Sequence, residues 1–231
     1  MGWFFFQRIG RRSARRATGT LLVLVVLGLA LFAIRARSEG KANAAVGWAG
    51  SGRLLSPASG PPSAEGIPVP PGPALAPRSL LGDGQDVDHI SCSAGTQFQI
   101  HIHAHLSIFV DGKPRQIPGA IGIKDPVTDG TDFVTGGTCL YGLHTHANDG
   151  VIHVESPSVR TYSLGEFFAI WGQPFDAHRI GPARGTVTAF YNGELVRGGD
   201  LRSLSLSSHA EIQLEIGRPL VSPQKIDFKS L

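Results

Sequence analysis

Residues 100–110 read Ile100-His101-Ile102-His103-Ala104-His105-Leu106-Ser107-Ile108-Phe109-Val110, and this alternation decides the fold. In a β-strand successive side chains point to opposite faces. Ile100, Ile102, Ala104, Leu106, Ile108 and Val110 then form an apolar stripe against a core. His101, His103 and His105 fall together on the other face, as a rigid row of nitrogen ligands. Asp111-Gly112 follows directly as a two-residue hairpin turn, and Arg115-Gln116-Ile117 begins the return until Pro118 limits it.

Working outward, a second cluster lies in the segment from Leu140 to Glu155, which holds His144-Thr145-His146 and then His153. It reads as two strands joined by a turn at Asn148-Asp149-Gly150. Ile152 and Val154 face the core, which leaves His153 and Glu155 on the opposite side. With a two-residue loop at 148–149 or 149–150, His144, His146 and His153 share one face; a bulged three-residue loop breaks that parity. If this hairpin pairs near the first strand, up to six histidines converge. Residues 125–138, rich in Asp, Gly and Thr, read as a loop. Ser163-Leu164-Gly165-Glu166 is a capping box that opens a short helix to Trp171, stopped by Gly172 and Pro174. Its Leu164, Phe167, Phe168 and Trp171 stand at helical spacing and read as core. Thr186 to Val196 is a further strand, Asn192-Gly193 turn and strand, and Leu206 to Ile216 holds another strand. The predicted fold class is α+β, mostly β: a compact hairpin-rich extracytoplasmic domain with one main helix, after a single N-terminal transmembrane helix.

The 231 residues suit one folded domain with appendages. Residues 1–17 read as a basic cytoplasmic N-terminus and 18–36 as a transmembrane anchor. Residues 37–87 form a Gly/Pro/Ala/Ser-rich linker, 88–220 the histidine-rich globular domain and 221–231 a C-terminal tail. Thr18 to Ile34 carries no charge and approaches the roughly 20 apolar residues that span a bilayer. Arg8, Arg11, Arg12, Arg15 and Arg16 precede it, which orients the N-terminus to the cytoplasm and the rest of the chain outside. A cleaved signal peptide ending near Ala42-Asn43-Ala44 is the alternative. The net charge of +3 comes from these arginines rather than from the domain, which argues against nucleic acid as a partner. The linker is too poor in apolar residues to offset its own ordering entropy and reads as a stalk.

The chain has two cysteines, Cys92 and Cys139, each just before a histidine cluster. Outside the cytoplasm the leading expectation is a disulfide between them, with thiolate metal ligation as the alternative. Gathering several imidazoles without a metal leaves unpaired nitrogens or repelling charges. His101, His103, His105, His144, His146 and His153 are therefore the candidate metal ligands, while His89, His178 and His209 read as structural. Asp149 and Glu155 are candidates to fix a histidine tautomer from behind, and Glu155 also as a base on metal-bound water. Zinc or copper leads as the metal, with nickel or iron next. The predicted function is extracytoplasmic binding of such an ion on a membrane anchor. Alternatives are a metalloenzyme whose three-histidine metal activates water for hydration or hydrolysis, and a pH-responsive interaction surface. Neither a serine or cysteine nucleophile triad nor a phosphate-binding glycine loop stands out, and the sequence does not identify a protein partner.

At His101–Leu106, Cys139–Glu155 and Leu164–Gln173 the chain resembles an uncharacterised family of membrane-anchored or secreted prokaryotic proteins. That family carries a His-x-His-x-His-Leu strand, a Cys-Leu-Tyr-x-Leu-His-Thr-His segment ending Gly-x-Ile-His-Val-Glu, and a Leu-Gly-x-Phe-Phe-x-Ile-Trp-Gly-Gln helix. The resemblance covers residues 89 to 217 and implies no established activity. The chain departs from the pattern at Ala147, where an Asp is expected; Asp149 stands two residues on.

Overall fold

The computed structural model describes residues 53–78, 82–95 and 97–231. The alternating stretch forms β1 (Ile100–Val110), which turns at Asp111-Gly112 into β2 (Lys113–Arg115). Both turn residues have positive φ, 51° and 70°, as a two-residue hairpin requires. β3 (Ile123–Lys124) and β6 (Cys139–Leu140) pair with each other. Between them β4 (Val127–Thr128) pairs with β5 (Val134–Gly136), so the stretch expected as a loop contains a small ladder.

β7 (Leu143–His144) pairs antiparallel with β8 (Val151–Ser156). His144 opposite His153 is the register of a two-residue turn at 148–149, as the parity argument requires. The ladder nevertheless stops at His144. Thr145 and His146 peel away, exchanging backbone hydrogen bonds with Ile121 and Val134 instead. Gly150 closes the turn at φ 90°, where an added Cβ would lie 2.4 Å from the Leu106 carbonyl oxygen.

The helix α1 (Leu164–Trp171) has the expected cap: Ser163 Oγ accepts from the Glu166 amide, and the Glu166 carboxylate accepts from the Ser163 amide. Gly172 ends it in the left-handed conformation. β9 (Phe175–Asp176), β10 (Arg179–Ile180) and β11 (Ala183–Arg184) make a small sheet of their own. β12 (Val187–Tyr191) and β13 (Glu194–Leu195) form the second hairpin, and β14 (Glu211–Ile216) is the last strand. The main sheet runs β13-β12-β14-β1-β8-β7, with β1 parallel to β14 and antiparallel to β8. Among the described residues the fold is mostly β, with one α-helix and several small sheets.

The two faces of the sheet differ in chemistry. Ala104, Leu106 and Ile108 of β1 share one core with Ile152 and Val154 of β8, Ile212 and Leu214 of β14, and the buried side of α1. The other face carries the histidines, continued by Ser107, Gln213 and Glu215, all buried. Segments expected outside the domain cover it. The Val221 amide donates to Glu215, Gln213 donates to the Val221 carbonyl, and Ser107 donates to Gln224. Leu55 pairs in turn with Val221.

Part of the expected stalk is therefore packed into the fold. Ile67 is fully buried, Leu75 and Ala76 join the main core, and Trp171 Nε1 donates to the Pro77 carbonyl. The expectation weighed average composition, whereas a few apolar side chains suffice when they dock on a surface that already exists. Prolines also lower the entropy this ordering costs. The predicted N-terminal anchor lies outside the described residues. Among the described residues no helix is long and apolar enough to cross a membrane.

Candidate metal centre

Strand register builds the site. His103 of β1 lies directly opposite His153 of β8, and His153 lies directly opposite His144 of β7. Directly paired residues point to the same face, with neighbouring strands about 4.8 Å apart. The three rings follow that spacing: centroids are 4.5 Å apart for His103 and His153, and 5.3 Å for His153 and His144. His101 stands opposite Glu155 one step along the same ladder. His146 arrives from the segment that left the ladder, its ring 4.5 Å from that of His153 and stacked on Phe133.

The outer nitrogen of each inner histidine is spoken for. His144 Nδ1 donates to the Tyr141 carbonyl at 2.9 Å, and His146 Nδ1 donates to the Val134 carbonyl. His153 Nε2 donates to the Glu65 carboxylate at 2.6 Å. Carbonyl and carboxylate oxygens only accept, so each of these nitrogens carries a hydrogen. In neutral His144 and His146 the Nε2 atoms are then bare lone pairs, and they face each other at 3.1 Å. His153 Nδ1 is buried with no hydrogen-bond partner among the described residues. These groups together with Glu155 offer four ligand atoms within 4.8 Å of one another. Outer nitrogens fixed by acceptors and inner nitrogens aimed at a common point are the arrangement of histidine metal sites.

Electrostatics point the same way. Burial, with the His153 and His146 charges added, lowers His144 far below the ordinary histidine value; burial lowers His146 as well. Burial and its histidine neighbours take His103 down to about 4. His153 goes up to about 9: burial opposes its charge, and Glu155 and Glu65 outweigh burial. Glu155 is held below the usual carboxylate range, because His153, His144 and His101 outweigh its burial. Its Oε1 lies 3.2 Å from His101 Nε2, 3.7 Å from His153 Nδ1 and 4.0 Å from His144 Nε2. Glu155 is thus a candidate ligand itself, among the histidines and not behind them.

His105 is the expected ligand that stands apart from both ligand groups. It is buried, its Nε2 donates to the Asp149 carbonyl at 2.9 Å, and it fixes the 148–150 turn. Burial lowers it to about 4 despite that bond. The Asp149 carboxylate touches no histidine. It accepts from Ser63 Oγ and the Val151 amide, and burial beside Glu65 raises its pKa. Asp149 sits beside Glu65, the carboxylate that accepts from His153 Nε2. His89, His178 and His209 are exposed and belong to neither ligand group; His209 stacks on Phe228.

The residue missed by sequence reasoning is Glu65. It is the only acid between Gly40 and Gly82, four residues after Pro61 and two before Ile67. A lone acid beside a lone isoleucine in a polar, proline-rich stretch was the available signal.

Cys92 and Cys139 form the expected disulfide, with Cα atoms 5.5 Å apart. Cys139 stands two residues before Tyr141, whose carbonyl holds His144, so the bridge braces the first histidine of the hairpin. Tyr141 is anchored at its other end, where its hydroxyl accepts from the Gly84 amide and donates to the Gln85 carbonyl. Beside the site lies a cleft of about 450 Å³ whose walls include Pro62, Val69, Phe133 and Ala147.

No family model, curated protein or solved structure matches this chain, so its chemistry rests on its own geometry.

Proposed function

We propose that this is an extracytoplasmic protein, anchored by its N-terminal apolar segment, that binds a transition metal ion at His144, His146, His153 and Glu155. The observation that carries the proposal is the convergence of three imidazole nitrogens whose opposite nitrogens are each held by an acceptor. The Nε2 atoms of His144 and His146, 3.1 Å apart, are close to the edge of a tetrahedron with bonds of about 2.0–2.1 Å.

Zinc is the ion this set suits first, and copper(II) second. Both cysteines are tied in the disulfide and the one methionine is Met1, so the site offers no sulfur to favour copper(I). Placement outside the cytoplasm and on a membrane rests on the sequence, from the arginines before Thr18–Ile34 and from the disulfide.

With Glu155 bound, four protein groups close the coordination and the protein holds or delivers the ion. A second reading is favoured by the cleft beside His146 and by the closeness of Glu155 to His101. If Glu155 turns to His101, three histidines remain with one open position, as in hydrolytic zinc sites, and Glu155 becomes the base.

The test is metal content of the full chain, purified in detergent from an oxidising compartment without a histidine tag, beside His144→Gln. One tightly held ion, lost in the variant while circular dichroism stays unchanged, supports metal binding. No ion after reconstitution with zinc, copper, nickel or iron overturns it.

A further inference from the structure

His153 belongs to two ligand groups. One is His144, His146 and Glu155; the other is His101 and His103. The groups differ in access to water. The His101 side chain is 57% exposed, His103 is half-buried, and the His144 side chain is 0% exposed.

Only one nitrogen of His153 can serve either group, because Nε2 is committed to Glu65, whereas Nδ1 has no hydrogen-bond partner among the described residues and lies 3.7 Å from Glu155 Oε1. One lone pair holds one ion at a time. The two groups are therefore alternative positions for a single ion and not a pair of sites filled together. Glu155 stands between them, 3.2 Å from His101 on the outer side and 4.0 Å from His144 on the inner side.

A hydrated divalent ion pays heavily for losing its water before protein ligands replace it. A solvent-facing pair of imidazoles next to shared ligands lets replacement proceed stepwise. We propose that His101 and His103 form an outer loading position, from which one divalent transition ion passes to His144 and His146 while His153 and Glu155 remain in contact with it. The proposal rests on the metal-binding function above and adds a route and an order of ligand exchange.

Cobalt(II) alone, mixed with the full chain in detergent, tests it. Stopped-flow absorbance reads loading, chelator challenge reads release, and equilibrium competition reads affinity. A position visited on the way changes both rates by the same factor and leaves the end states untouched. In His101→Ala/His103→Ala, loading and release should both slow at least about tenfold while affinity stays within about threefold and stoichiometry stays at one. His101→Ala, at an exposed position, should slow both rates in part and covers the case in which the double variant does not fold.

Two ions per wild-type chain, or unchanged rates in folded variants, would overturn the proposal. So would an affinity loss above about tenfold with unchanged loading, which makes His103 a permanent ligand. A wild-type chain that takes up no cobalt fails the metal-binding function itself.

Discussion

At the scale of single residues, the Glu65–His153 pair carries the sharpest expectations. Glu65 fixes which nitrogen of His153 bears the hydrogen and makes the other a better donor to a metal. Glu65→Gln keeps the shape and the hydrogen bond but removes the charge. Metal affinity should fall about 10–100-fold in a chelator competition near pH 9, while the metal-free protein melts lower at pH 7, where protonated His153 loses its partner charge. An unchanged affinity would show that His153 is no ligand. The same pair sets a pH dependence. The His153 pKa is raised to about 9, so metal-free protein carries its proton at pH 7. A metal needs the Nδ1 lone pair and must displace that proton. Binding at pH 7 should release about one proton, and apparent affinity should climb up to about tenfold per pH unit until pH nears 9. Titration calorimetry in two buffers of different ionisation enthalpy reads the release directly. The effect on stability has the opposite sign. A folded pKa above the unfolded 6.5 gives the metal-free fold a contribution that is complete below pH 6.5 and lost as pH rises through about 9.

At the scale of elements, the disulfide and the helix cap separate support of the site from support of the fold. The bridge closes a span of 47 residues, so Cys92→Ser/Cys139→Ser should lower stability by about 4 kcal/mol in the chain-entropy treatment. It should weaken metal binding too, since Cys139 leads into Tyr141 and the carbonyl that orients His144. Ser163→Ala, which removes the α1 cap on the far side of the sheet, should cost about 1 kcal/mol and leave metal affinity alone. Denaturation curves with chelator competition on the same samples distinguish the two patterns. These elements also show what the amino-acid order makes legible. The β1 alternation, the Asp111-Gly112 turn, the α1 cap and the 144-to-153 register follow from periods and turn chemistry, which act over a few residues. The parallel pairing of β1 with β14 does not, because strands a hundred residues apart are matched by packing and not by a local signal. His105 and His146 show the same limit at the site. Parity places both on the histidine face, but His105 is taken by the Asp149 carbonyl. His146 reaches the cluster only because β5, read as loop, holds it.

At the scale of the molecule, the question is where the functional unit begins. The polar face of the main sheet would be costly if left half-covered, with Gln213, Glu215, His105 and His153 buried against it. Two strips of irregular chain cover it, residues from 53 onward and those after Leu220, and they are joined to each other. Leu55 exchanges backbone bonds with Leu220 and Ser222, and Ser230 Oγ donates to the Glu65 carbonyl. Glu65 is thus held from the far end of the sequence, and the loop that supplies it reaches the candidate metal centre. A chain beginning at residue 53 should melt as the full chain does and hold the ion with the same affinity. A chain beginning at residue 79 loses Glu65, Ile67, Leu75 and Ala76 together. It should lose both the ion and several kcal/mol of stability, since each fully buried aliphatic side chain contributes about 1.5–3 kcal/mol. Because such a chain can fail by unfolding alone, Glu65→Gln in the chain from residue 53 is the deciding partner. If it stays folded yet binds weakly, the covering strip works through its carboxylate. If it binds as tightly as its parent, the strip is only a cover, and the proline-rich segment is a spacer that rests on the domain without serving its site.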